Sequence, residues 1–130
     1  GLGCQMIVSP NTDKDVIKAT KDKGMLSFPG VLTPSECFSA INSGADALKI
    51  FPAFKLGIDG FKAMKAVLPS DVKTYGVGGI NENHFHEWLL AGLTGFGIGS
   101  NLFHPSMNDD DIKTKAKKIV IEYDSWFAQR

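Results

Sequence analysis

Cysteine is scarce in this chain of 130 residues: Cys4 and Cys37 stand far apart, with no Cys-x-x-Cys or Cys/His ligand spacing. That excludes a disulfide scaffold and a zinc finger, and both thiols are expected to be buried and reduced. Histidine is equally sparse. His84 and His86 sit two apart on an expected helix and face different ways, so no metal is expected between them. Neither sign of charge is in excess, because fourteen basic and fourteen acidic side chains cancel. This argues against nucleic acid or an anionic membrane surface as a partner. No apolar run approaches the roughly 20 residues that span a bilayer, and the first residues lack a basic-then-apolar secretory pattern, so a cytoplasmic setting is expected. A 43% hydrophobic content suits an ordinary globular core, read as one domain over 1–130.

What the chain does have is alternation. Gln5 to Val8 reads as a strand broken by Ser9-Pro10-Asn11, and Thr12 can cap a helix whose apolar side begins with Val16, Ile17 and Ala19 and which Gly24 ends. Met25 to Phe28 is a second strand, followed by a Pro29-Gly30 turn. Thr33-Pro34-Ser35-Glu36 is a strong helix start, with an N-cap threonine, proline at the first helical position and a reciprocal glutamate. That helix stops near Gly44. Ala45 to Phe51 is the third strand, followed by a Gly-containing loop and a helix around Phe61 to Leu68. Val72 to Val77 is the fourth, ending in Gly78-Gly79. Asn81 caps a helix that closes at Gly92. Gly95 to Ile98 is the fifth strand, and Asp109 to Phe127 reads as an amphipathic helix with Ile112, Ala116, Ile119, Val120, Tyr123 and Phe127 on one stripe. Gly1-Leu2-Gly3 reads as the end of an earlier helix capped by Gly3, so the chain is expected to open mid-fold.

Strand and helix alternate at a spacing of roughly 20 to 26 residues, the pattern of a parallel α/β protein with right-handed crossovers. Two architectures fit: a (β/α)8 TIM barrel or a doubly wound sheet. Five strands cannot close the eight-stranded barrel, so a barrel would hold about three further units on the N-terminal side, and this chain would expose apolar interior and sheet edges. In either architecture the site lies at the C-terminal ends of the strands.

Within Gly44-Ala45-Asp46-Ala47-Leu48-Lys49-Ile50-Phe51-Pro52 one lysine interrupts an apolar run. On a strand, Ala47, Lys49 and Phe51 share one face and Leu48 and Ile50 take the other. If both faces are dry, desolvation disfavours the ammonium and pulls the amine below its model value of about 10.4. A neutral buried amine attacks keto groups to form Schiff bases, without metal or cofactor. The plainer alternative is a lysine that snorkels to an edge and pairs with a carboxylate. Glycines at two consecutive strand ends, Gly78-Gly79 and Gly99-Ser100, can let backbone N–H groups approach a phosphate, or can simply be tight turns.

Gly44-x-Asp46-Ala47-Leu48-Lys49-Ile50-Phe51-Pro52, Val77-Gly78-Gly79-Ile80 and Gly97-Ile98-Gly99-Ser100 together resemble the class I 2-keto-3-deoxy-6-phosphogluconate and 6-phosphogalactonate aldolase family. The similarity extends over the whole chain, including Ile7 to Asn11. The resemblance implies a (β/α)8 barrel, here strands 4 to 8 and the C-terminal helix, usually assembled as a homotrimer and needing no cofactor. It implies a Schiff-base role for Lys49, phosphate binding at Gly78, Gly79, Gly99 and Ser100, and a substrate pocket that includes Pro10, Phe51 and Val77. The family's general acid/base glutamate, its carboxylate-binding arginine and a Gly-Thr loop belong to strands 1 to 3, outside these residues. The implied reaction is reversible cleavage of a phosphorylated keto-deoxy sugar acid to pyruvate and glyceraldehyde 3-phosphate. Valine before the paired glycines is the galactonate-type choice, whereas the gluconate type carries threonine. A gluconate or 4-hydroxy-2-oxoglutarate aldolase, or a non-catalytic phosphate-binding half-barrel, are the alternatives.

Overall fold

A computed structural model describes residues 3–128, so the helix end expected at Gly1-Leu2 lies outside the described residues. The chain runs β1 (Met6–Val8), α1 (Lys14–Asp22), β2 (Leu26–Phe28), β3 (Gly30–Val31), α2 (Pro34–Asn42), β4 (Leu48–Ile50) and α3 (Ala53–Lys65). It continues through β5 (Thr74–Val77), a 3-10 turn (Glu82–His84), α4 (Phe85–Leu90), β6 (Gly95–Gly97) and α5 (Asp109–Ala128).

Among the described residues every strand pairing is parallel, β1 with β2 and then β3-β4-β5-β6. The strands therefore follow sequence order with none of the reversal that marks a doubly wound sheet. The expected Pro29-Gly30 turn is not one. Pro29 has no N–H and so interrupts the ladder, but its carbonyl still accepts from the Lys49 amide at 2.9 Å, and the chain continues as β3.

Local chemistry explains the starts of α1 and α2. The capping box at Thr33 and Glu36 forms in both directions, with proline in the first turn. At α1 the cap is Asp13, not Thr12: the Asp13 carboxylate accepts from the amides of Asp15 and Val16, while the Thr12 hydroxyl donates to the Gly30 carbonyl at 2.8 Å. The helix expected around Phe61 to Leu68 begins earlier, directly after Pro52, and is kinked at Gly57, whose φ of 67° a helix interior cannot accommodate. Phe61 and Met64 then reach the core.

One face of the sheet packs on the helices, with Leu48 and Ile50 fully buried among Ile17, Cys37, Phe61 and Phe85. Cys37 is buried as expected, and burial raises its thiol to about 11. Cys4 is exposed, against expectation, because it precedes β1 where no helix covers the chain. On the opposite face Met6, Val8 and Leu26 are exposed. Helix α5 turns Ile119, Tyr123 and Trp126 inward. Val120 and Phe127, expected on that stripe, are exposed, since a 3.6-residue period carries them off the contacting face.

Gly30 and Gly76 lie under close neighbours of different kinds. A Cβ at Gly30 would collide with the backbone carbonyl of Pro10, whereas at Gly76 it would meet only the side-chain ends of Ile80 and Leu93, at 2.7 and 2.8 Å. Overpacking of this kind costs about 1–3 kcal/mol. Gly30→Ala is therefore expected to destabilise by about 3 kcal/mol and Gly76→Ala by about 1 kcal/mol in urea unfolding. The reverse order would show that the Pro10 segment yields easily.

Candidate active site

Lys49 is the middle residue of β4, in register with Gly30 on one side and Tyr75 on the other. Strands flank it on both edges, and the residue is only 8% exposed. Phe28 at the end of β2 and Tyr75 of β5 stack with centroids 5.3 Å apart, and the Lys49 Nζ lies 4.7 Å from the centroid of Phe51. Among the described residues no carboxylate pairs with it. Burial therefore acts unopposed and lowers its pKa from the ordinary lysine value. The ring of Phe51 offers an attraction that does not require a counter-ion.

Asp46 belongs to the same sequence motif but does a different job. It lies before β4, at the opposite end of the strand from the site, where it accepts from Lys21 at 2.7 Å and from the Ser27 amide. It joins α1 and β2 to the start of β4.

Beyond the strand ends lies a cavity of about 420 Å³. Phe51, Val77, Gly78, Gly79, Gly99 and Ser100 all line it, so six of the sequence-predicted residues converge. Lys49 adjoins it through the ring of Phe51 and does not itself line it. Pro10 does not line it either: its carbonyl covers Gly30, the register partner of Lys49.

The glycines are required for different reasons. Gly78 and Gly79 have φ of 90° and 73°, and a Cβ on Gly79 would fall 2.6 Å from that of Phe54, so both conformation and space demand glycine. A Cβ on Gly99 would meet nothing within 4 Å, which leaves open room at that turn. Across the strand pair, Gly97 makes space for Val77, whose Cγ2 would lie 2.7 Å from a Cβ there.

Among the described residues no charged side chain lines the cavity. An anion held there would depend on backbone N–H groups and the amides of Asn81 and Asn101, a donor set suited to phosphate oxygens. Asn81 was legible as a helix cap, and its side chain does accept from the Asn83 amide at 3.0 Å. Asn101 and Glu82 carried no such signal. Glu82 is 2% exposed and accepts from Asn101 at 2.9 Å, Lys115 at 3.1 Å and Lys118 at 3.0 Å. Burial pushes its pKa up, but hydrogen bonds from Asn101, its own backbone and both lysines outweigh this and bring it down to about 2. His84 and His86 have separate partners, the Asn81 amide and the Ser125 hydroxyl.

The family model for KDPG and KHG aldolases matches residues 1–118, and the chain belongs to that family. It is 40% identical over 124 residues to a probable 2-dehydro-3-deoxy-6-phosphogalactonate aldolase of Rhizobium meliloti (strain 1021), covering 95% of this chain and 58% of that protein. It is also 40% identical to 2-dehydro-3-deoxy-6-phosphogalactonate aldolase of Escherichia coli (strain K12), covering 94% and 60%. A solved structure described as native KDPGal superposes with a TM-score of 0.93 at 39% identity, over 97% of this chain and 61% of that one. The chain thus spans about three fifths of the length of these relatives.

Because the folded-state pKa of Lys49 lies below its unfolded value, the unfolded chain binds more protons, and Lys49 opposes folding at neutral pH. The penalty fades as pH rises from the lowered pKa toward about 10.4. Lys49→Met is expected to raise the thermal midpoint at pH 7 and to flatten the gain in stability of the wild type between pH 7 and 10. A variant less stable than wild type at pH 7 would contradict this.

Proposed function

We propose that this chain carries the imine-forming lysine and the phosphate end of a class I aldolase that cleaves 2-dehydro-3-deoxy-6-phosphogalactonate reversibly to pyruvate and glyceraldehyde 3-phosphate. The observation that carries this reading is a buried lysine, unpaired among the described residues, beside a glycine-lined cavity without charged side chains. The names of the two curated relatives support the substrate. The sheet is read as strands 4 to 8 of a (β/α)8 barrel, supported by its sequential order and by the exposed Met6, Val8 and Leu26 on its uncovered face. The homotrimer and the cytoplasmic setting belong to the same proposal.

In this mechanism the neutral Lys49 amine attacks the C2 ketone, and loss of water gives an imine. The imine nitrogen accepts the electron pair released as the C3–C4 bond breaks, which frees the aldehyde product and leaves an enamine. Protonation at C3 and hydrolysis then return pyruvate and the free amine. The phosphate is bound by the turns at Gly78-Gly79 and Gly99-Ser100, so that binding energy far from the reacting carbon orients it. A general acid/base is expected from the complete enzyme.

Borohydride added to the natural protein with pyruvate is expected to reduce the imine and to add one reduced pyruvate to the peptide that contains Lys49. Label on Lys55 or Lys62 with Lys49 unmodified would remove the assignment. No label at all would favour the non-catalytic half-barrel.

Val77 bears on the choice of epimer. It is half-buried and lines the cavity beside Phe51 and Gly78. The two candidate substrates differ at C4, where a threonine hydroxyl in this position could donate a hydrogen bond and valine cannot. One such bond is worth about 0.5–1.5 kcal/mol, up to about tenfold in specificity. Val77→Thr is expected to shift the ratio of kcat/KM values toward the gluconate epimer by about three- to tenfold. An unchanged ratio, or a strong wild-type preference for the gluconate form, would falsify the galactonate assignment.

A further inference from the structure

The buried carboxylate behind the glycine turns has no part in the chemistry above. Glu82 stands three residues beyond Gly79, in the 3-10 turn that leads into α4. One of its oxygens accepts from the Nδ2 of Asn101, the residue that follows Gly99-Ser100 and lines the same cavity. The other accepts from Lys115 and Lys118 on α5. The β5–β6 ladder ends at Val77 and Gly97, so the two turns project beyond the hydrogen bonds that align their strands. Glu82 spans that gap.

We infer that Glu82 is a positioning residue: through Asn101 it holds the Gly99-Ser100 turn in the place, relative to the Gly78-Gly79 turn, that a bound phosphate group requires. The inference rests on the aldolase reading of the cavity. A carboxylate acting only through its charge would repel phosphate, and its removal would free two lysines to attract it. A carboxylate that acts by position does the opposite, because its charge-assisted hydrogen bonds are the stronger kind and their loss releases the turn. The two accounts differ in sign. The three charges of Glu82, Lys115 and Lys118 sum to one positive, so the network can hold the loop without making the region anionic.

Inorganic phosphate binding by the natural protein, measured by calorimetry, tests this together with amide hydrogen exchange. Glu82→Gln is expected to weaken phosphate binding about tenfold. It should also accelerate exchange at Leu102 and Phe103, whose amides donate to the Gly99 carbonyl, while Thr94, which donates to the Thr74 carbonyl, exchanges as before. Asn101→Ala, which also removes a donor from the cavity, should lose at least as much, and the double variant no more than Asn101→Ala alone, since Glu82 acts through Asn101. In Glu82→Gln, borohydride trapping with pyruvate, which lacks phosphate, should be unchanged. Unchanged or tighter phosphate binding in Glu82→Gln, additive losses in the double variant, or unchanged exchange at Leu102 and Phe103 would each overturn the inference. A wild type that binds no phosphate would count against the aldolase reading, and the exchange rates would still decide the coupling.

Discussion

The structure turns on keeping the amine of Lys49 away from water with no counter-ion among the described residues. Placing Lys49 between two parallel strands removes solvent from both edges, and the fully buried Leu48 and Ile50 seal the face behind it. On the face it shares, Ala47 and the stacked rings of Phe28 and Tyr75 restrict access, while Phe51 contributes a ring and not a carboxylate. A paired lysine would be more comfortable and less nucleophilic, because an adjacent anion stabilises the charged form. The strand neighbours are shaped by the same demand. Gly95 and Gly97 are small where Tyr75 and Val77 need room on that face.

The strand ends pose a different problem, because among the described residues no cationic side chain lines the cavity and its two turns are shaped by other means. At the first turn, backbone conformation does it: Gly78 and Gly79 occupy left-handed geometry next to Phe51, Pro52 and Phe54. At the second, the loop is tied down from behind, with Gly99 accepting two amides and Asn101 held by Glu82. The desolvation of Glu82 is offset only because several donors converge on it. Helix α5 thus does more than cover the edge of the sheet, since it supplies two of those donors.

These features divide the protein into parts with opposite effects on stability. The Asp46–Lys21 pair and the capping box of α2 join elements at little functional cost. The desolvated Lys49 opposes folding, and the left-handed pair Gly78 and Gly79 restricts sequence at the C-terminal end of β5. Strain concentrated at a site and offset elsewhere is the usual trade between activity and stability.

By itself the sequence determined whatever depends on near neighbours: the strand–helix alternation, the Thr33-Glu36 capping box, the Asn81 cap, the dry strand around Lys49 and the glycine pairs at the strand ends. Each follows from torsional preference, side-chain reach or hydropathy within a few residues. Only the tertiary structure decided which of two adjacent caps works, because the Thr12 hydroxyl is taken by Gly30, eighteen residues away. It decided that Pro29 interrupts a strand without turning it, since that depends on Lys49 finding the Pro29 carbonyl. It turned Trp126 toward the core and left Val120 and Phe127 outside, because the contacting side of α5 is set by what it packs against. In sequence Glu82 is one acid near a helix start. Its burial and three partners arise from residues 19, 33 and 36 positions further along the chain, a convergence that local patterns do not encode.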